Sequence, residues 1–229
     1  MSNIPGMVVF NRDHKLRQRN RAARRHDFAE FTYIRDHLAA QVVDRLLDIQ
    51  RNFEVAVDIG CGAGHILKHL PSVGSTKVQN LIQVDSSLEM LKRSLRHKQS
   101  AEDCGISSHI VHADEEFLPF ADNSVDLVVS SMALHWTNDL PGILIQVNRM
   151  LKPDGAFLGV MLGGETLSEV RWMIYSTGRT AARDRAVLTI LCWCVVHGRS
   201  PIVSSGLPSC SLSKKGQEGS VNICLQSPK

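Results

Sequence analysis

Three aspartates, Asp58, Asp85 and Asp114, each stand close behind a short apolar run rich in β-branched residues. A carboxylate at the carboxyl end of a parallel strand lies where open α/β sheets bind their ligands, and it accepts hydrogen bonds from hydroxyl or amino groups. Between the first two lie Gly60, Gly62 and Gly64, in the loop 58–64. Glycines at that spacing let the backbone turn tightly and approach a ligand closely, with the next helix offering its N-terminus. Asp85 would then accept from both hydroxyls of a ribose. Asp114 is placed to accept from an adenine amino group, with Leu118, Pro119 and Phe120 as an apolar wall. The weak candidates near a substrate are His135, for proton transfer, and Trp136, for stacking on a guanidinium group. A structural histidine and a core tryptophan are the equally open alternatives, and no catalytic base stands out. Tyr33 would cap the ligand or, more simply, pack its helix.

The elements that must position these residues alternate. Strands are expected at 55–59, 81–84, 110–111, 127–129 and 157–161, and helices at 64–70, 88–96 and 141–151, with a turn at 152–155. Such alternation argues for a parallel sheet with helices on both faces, an α/β fold. Upstream, Phe31, Ile34, Leu38, Val42, Leu46 and Ile49 follow helical spacing and predict one or two amphipathic helices. Before them come Arg12, Lys15, Arg17, Arg19, Arg21, Arg24 and Arg25, with only Asp13 acidic. That pattern fits a mitochondrial presequence, a solvated basic helix, or an arm against an acidic surface. The chain thus divides into a basic arm with helices (1–52), a binding core (53–172) and a tail (173–229). The tail's Ser, Arg and Gly content reads as disordered, apart from the apolar patch 186–196.

A net charge of +3 is too small to argue for nucleic acid, and no apolar run is long enough to span a membrane. The six cysteines form no C-x-x-C pair, so free thiols and no metal site are expected. His65 and His69, four apart on a helix, read as a solvated face, and no 2-His-1-carboxylate set can be picked out. Asp126 reads as a strand-start residue.

A ribose diol belongs to nicotinamide dinucleotides and to S-adenosylmethionine alike, so the glycines and Asp85 do not choose between them. The succession of the 58–64 loop, Asp85, Asp114 with 118–120, the strand 126–131 and the turn 151–155 resembles class I S-adenosylmethionine-dependent methyltransferases. The resemblance implies a Rossmann-like, doubly wound, mainly parallel sheet. It implies S-adenosylmethionine as cofactor, bound by Asp58, Gly60, Gly62, Gly64, Asp85 and Asp114. A closer resemblance rests on 114–120, 126–131, 134–136, 138–141 and 163–167. It also rests on Phe10, Asn11, Arg12, Arg17, Gln18, Ala22, Ala23, Asp44, Arg45 and 51–53. Over about 8–172 the chain is similar to the mitochondrial complex I assembly factors with a methyltransferase fold, the arginine hydroxylases of a complex I iron–sulfur subunit. This implies that subunit as partner, its arginine side chain as substrate, and peripheral association with the matrix side of the inner membrane. The segment 134–140 is also similar to methyltransferases acting on malonyl-acyl carrier protein, whose acidic partner would suit the basic arm. From about Met173 the chain departs from the family, which continues into further helices and the last strands. A sheet lacking those strands, with the strand near Phe157 as an exposed edge, is therefore expected. A shortened, non-catalytic form is the third reading. The first residues lie near the family's mature region, so a full presequence is expected to be absent.

Overall fold

A computed structural model describes residues 8–73, 77–162, 190–196 and 224–226. Strand β1 (Phe53–Ile59) sets the layout, because its inner residues are buried on both faces. Ala56 packs with Leu38, Val42 and Leu46 of a helix spanning Tyr33–Asp48. The adjacent Val57, and Ile59 beyond it, pack with Ile143, Val147 and Met150 of a helix spanning Leu140–Met150. Successive strand side chains point to opposite faces, so burial of neighbours requires a helix layer on each side.

In chain order the elements are α1 (Arg12–Ala23), α2 (Phe28–Phe31), α3 (Tyr33–Asp48), β1, α4 (His65–His69), β2 (Val78–Asp85), α5 (Leu88–Ser94), α6 (Lys98–Asp103) and β3 (Ser107–His112). They continue with β4 (Val125–Ser131), α7 (Leu140–Met150), β5 (Leu151–Leu162), β6 (Ile190–Val196) and β7 (Cys224–Gln226). The described strands lie in the order β3-β2-β1-β4-β5-β6-β7, and β1 to β5 are mutually parallel. The chain winds outward from β1 through β2 to β3, then returns to the other side of β1 as β4. The crevice between β1 and β4 is therefore the topological switch point, where ligands of such sheets bind.

Three expectations change. The turn at 152–155 is a bulge inside β5: Val125 pairs with Leu151, Leu127 already with Ala156, and Asp154 has φ 66°. The edge of β5 expected to be open is paired antiparallel with β6, from Leu162 opposite Ile190 to Ala156 opposite Val196. The apolar patch in 186–196 supplies a strand of matching length. β7 adds a further antiparallel partner to β6 over three residues, too few to show any period. The motif at 163–167 and most of the tail expected to be disordered lie outside the described residues.

Candidate functional site

The loop after β1 turns through three left-handed glycines, with φ 70° at Gly60, 58° at Gly62 and 78° at Gly64. The left-handed backbone favours glycine at all three, and Gly60 and Gly64 also need it for space. A Cβ on Gly60 would stand 2.2 Å from Cβ of Ala133, so only glycine lets the loop pack under the end of β4. A Cβ on Gly62 would meet nothing within 4 Å, because that position faces open space. The amides of Gly60 and Cys61 donate to the Val84 carbonyl, tying the loop to the end of β2.

Asp85 is fully buried at that strand end. Its Oδ2 accepts from the Gly62 amide at 2.8 Å and its Oδ1 from the Ser87 amide at 2.7 Å. One carboxylate thus shapes both the glycine loop and the start of α5. Arg19 of α1 also pairs with Oδ2. Burial pushes the Asp85 carboxyl above the usual carboxylate range, and Arg19 pulls it back. Asp58 is buried on the other side of the loop, and neither of its oxygens has a partner among the described residues. Burial, with the charge of Asp85 next, pushes its carboxyl up to about 8. A neutral carboxyl with free donor and acceptor capacity therefore sits beneath the loop at neutral pH.

Above the loop lies a cavity of about 480 Å³, within the range of small-molecule sites. Its lining brings Gly62, Ala63, Glu115, Met132, Ala133 and Trp136 from the sheet side against Arg12, Lys15, Arg19 and Arg35 from the N-terminal helices. The open Gly62 position leaves room for a ligand at this point. The basic segment proves to be an arm against an acidic surface. Arg12 donates to Asp114 at 2.7 Å, pairs with Glu115, and lies 3.8 Å from Glu116. Arg19 also reaches Glu115 at 3.2 Å, and Asn20 accepts from the Ser87 hydroxyl at 2.6 Å. Asn138 closes the far end, accepting from the Val9 and Phe10 amides at 2.9 and 2.8 Å.

Of the sequence-derived residues, Gly62 lines the cavity, while Gly60, Gly64, Asp58 on β1 and Asp85 at the end of β2 are buried and stand outside its lining. Asp114 likewise lies outside it, held by Arg12 and by the Glu116 amide at 2.9 Å. Glu115, not singled out in the sequence, is the buried member of that acidic run. Its only sequence signal is its place directly after Asp114. Trp136 lines the cavity, but its face carries Lys15 Nζ at 3.2 Å from the ring centroid and its edge meets Phe10. His135 lies beside Trp136 with its Nδ1 buried and unpartnered among the described residues. Burial, then Arg35 and Lys15, lower its pKa to about 4, so the ring is neutral and a weak base. Tyr33 is exposed and neither caps the cavity nor packs its helix. His65 and His69 do not form a solvated face: both approach Asp36, at 3.4 and 3.2 Å, beside Lys68. Among the described residues no group of three or more His, Cys, Asp or Glu is arranged to hold a metal ion. Asp126 is more than a strand start. It accepts from the Val55 amide, Arg51 and Lys152, joining β1 to the bulge of β5.

Residues 57–159 match the methyltransferase domain family. The chain is 44% identical over 170 residues to a protein of Danio rerio named "Arginine-hydroxylase NDUFAF5, mitochondrial", covering 74% of this chain and 50% of that protein. It is 32% identical over 166 residues to a malonyl-[acyl-carrier protein] O-methyltransferase of Methylovorus sp., covering 69% and 55%. The chain thus spans about half the length of these curated relatives. Its fold is like that of a methyltransferase structure solved with the Haloferax volcanii Trm112 activator, with TM-score 0.56 and 23% identity over 69% of this chain and 66% of that one. No helix among the described residues is long and apolar enough to cross a membrane.

Proposed function

We propose that the cleft over the glycine loop binds S-adenosylmethionine, in keeping with the match of residues 57–159 to the methyltransferase domain family, and that it serves mitochondrial complex I assembly. The substrate on this reading is an arginine side chain of a complex I iron–sulfur subunit, on the matrix side of the inner membrane; its hydroxylation is a two-electron oxidation that takes one oxygen atom from dioxygen, the other leaving as water with two electrons and two protons from an external reductant. The observation that carries it is a small-molecule-sized cavity over a glycine loop, lined by a carboxylate, Glu115, that already accepts two guanidinium groups, those of Arg12 and Arg19. Similarity to proteins named arginine hydroxylases supports the same substrate class.

When bound, S-adenosylmethionine supplies a methyl group on a sulfonium centre. The work of this chain's residues is binding and orientation. Gly60, Gly62 and Gly64 hold the loop open to the ligand. Asp85 accepts from the ribose hydroxyls and Asp114 from the adenine amino group. The neutral Asp58 beneath the loop keeps an acceptor available to the amino-acid end. Trp136 and His135 border the substrate side and carry no assigned proton transfer. The malonyl-[acyl-carrier protein] relative favours a second reading, methylation of a carboxylate on a carrier protein.

Calorimetric titration of the chain with S-adenosylmethionine tests the binding. Saturable binding is expected, and Asp85→Ala should weaken it at least roughly tenfold, because a carboxylate on two hydroxyls contributes about 1.5–3 kcal/mol. A folded wild-type chain that binds nothing would sink the proposal. Mass analysis of an arginine peptide from the iron–sulfur subunit then separates the chemistries. Gain of one oxygen supports hydroxylation, and methylation of a malonyl carrier protein instead supports the second reading.

A further inference from the structure

Residues 8–11, ahead of α1, belong to no helix or strand. Among the described residues no backbone–backbone hydrogen bond holds Val8, Val9 or Phe10. One side chain grips their backbone instead. Asn138 Oδ1 accepts from the Val9 and Phe10 amides at 2.9 and 2.8 Å, and its Nδ2 donates to the Phe10 carbonyl at 3.1 Å. The Asn138 amide donates to Glu116 Oε1 at 2.6 Å, which braces the clamp from behind. A side-chain amide that both accepts from and donates to one backbone holds an extended chain whatever its side chains. Next to the clamp, the Phe10 ring packs on Trp136 in a T-shaped pair with centroids 5.5 Å apart. Two residues on, Arg12 Nη1 donates to the Trp136 carbonyl at 3.2 Å, and Nη2 donates to Asp114 at 2.7 Å and to Glu115. A backbone clamp, an aromatic seat and an acidic seat thus follow one another along an extended segment, as in sites that bind peptides.

The occupant is lightly held. Val8 is 78% and Val9 62% exposed, and Arg12 Nε is buried without a hydrogen-bond partner among the described residues. We propose that residues 8–12 fill, in cis, a docking track for an extended partner peptide carrying an arginine two residues after an aromatic. The partner's arginine takes the seat between Glu115 and the Trp136 carbonyl when it displaces Arg12, so the segment keeps the track shut until such a partner arrives. The inference deepens the arginine reading above, but it needs no cofactor. The tether gives Arg12 an effective concentration on the order of millimolar, and a partner must compete with it. The seat suits arginine over lysine, because a planar fork reaches a carbonyl and carboxylates together while an ammonium is a single point.

Fluorescence anisotropy of a labelled peptide copying residues 8–15, titrated with the full chain and no cofactor, tests this. Arg12→Ala empties the acidic seat, while Glu115 keeps Arg19 and the Ser86 hydroxyl as partners. That variant should bind the peptide at least roughly tenfold more tightly than the wild-type chain, whose track is already filled. Phe10→Ala frees the aromatic seat without disturbing a charge. It should give a smaller, few-fold gain, and it decides the question where Arg12→Ala melts early. Adding Asn138→Ala to either variant should cancel the gain, and a peptide with alanine in place of its arginine should show none. Equal binding by the wild-type chain and both released variants would overturn the inference, making the segment a fixed part of the arm. A gain that survives Asn138→Ala, or one shared by the alanine peptide, would overturn it too. Docking of the peptide with no gain of oxygen on a subunit peptide would support this inference and remove the arginine-substrate reading. Oxidation of a subunit peptide by a chain whose released variants dock nothing would do the reverse.

Discussion

The two walls of the cleft are built by different physics. The sheet-side wall is a loop whose backbone is committed at every step. Its glycines are left-handed, its amides donate to Val84 and Asp85, and Ala133 packs against Gly60. The arm-side wall is α1, a helix with one buried residue, Ala23, joined to the sheet by charge pairs and by Asn20 and Arg93. The contrast teaches where stability and responsiveness reside. One wall is continuous with a close-packed core, which resists small changes in volume. The other is held by contacts that water and salt can compete for.

The sharpest way to break this comparison is at Gly60. Gly60→Val combines a left-handed β-branched residue with a Cβ 2.2 Å from Ala133. Strain and overpacking together should cost about 3 kcal/mol or more. Urea denaturation should show the loss as a lower midpoint with an unchanged slope. A variant as stable as wild type would mean that the loop wall yields, and the distinction between the walls would fail.

The same contrast explains what could be read in advance. The loop wall was legible because its determinants are local. Gly60, Gly62 and Gly64 follow a strand, Asp85 closes the next, and short runs dominated by apolar residues mark β1, β2, β4 and β5. Helix α6 was missed because only Ala101 of its six residues is buried, so it carries no apolar period. The acidic partners of the arm were missed for another reason. Arg12 and Arg19 meet Asp114, Glu115 and Asp85 across most of the domain, and nothing in a run of arginines states which carboxylates it will find.

The buried Asp58 tests how closed the loop wall is. With its folded value near 8 against an ordinary 3.8, the folded chain holds a proton here that the unfolded chain releases. Stability from this group is therefore complete below about pH 4 and is lost as pH rises towards 8, by at most about 1.4 kcal/mol per unit. Asp58→Asn removes that dependence. Thermal melts of the ligand-free proteins should differ little at pH 4 and diverge in favour of Asp58→Asn by pH 8. Parallel melting curves across that range would show that Asp58 is solvated, and that the loop wall is open beneath.

The smallest expected effect lies on the arm. Arg19 is about a quarter exposed, and its pairs with Asp85 and Glu115 hold α1 over the cavity. Removing the guanidinium leaves Asp85 its two backbone donors, Gly62 and Ser87, so the loop wall keeps its shape. Arg19→Ala should cost about 1–2 kcal/mol in global stability, because buried Asp85 and Glu115 lose a partner while Asp85 keeps its two backbone donors. It should instead raise amide hydrogen exchange across 12–23 with little change in β1 or β2. Arg19 pairs with the Asp85 oxygen proposed to accept from the ribose, so on that proposal its removal should tighten S-adenosylmethionine binding a few-fold. Raising ionic strength should produce the same change in the wild-type chain, because a partly exposed pair is screened by salt. A stability loss as large as that of Gly60→Val would show that the arm belongs to the core. Weaker cofactor binding in Arg19→Ala would show that the arm helps to hold the ligand instead of competing with it, and the two walls would then act as one.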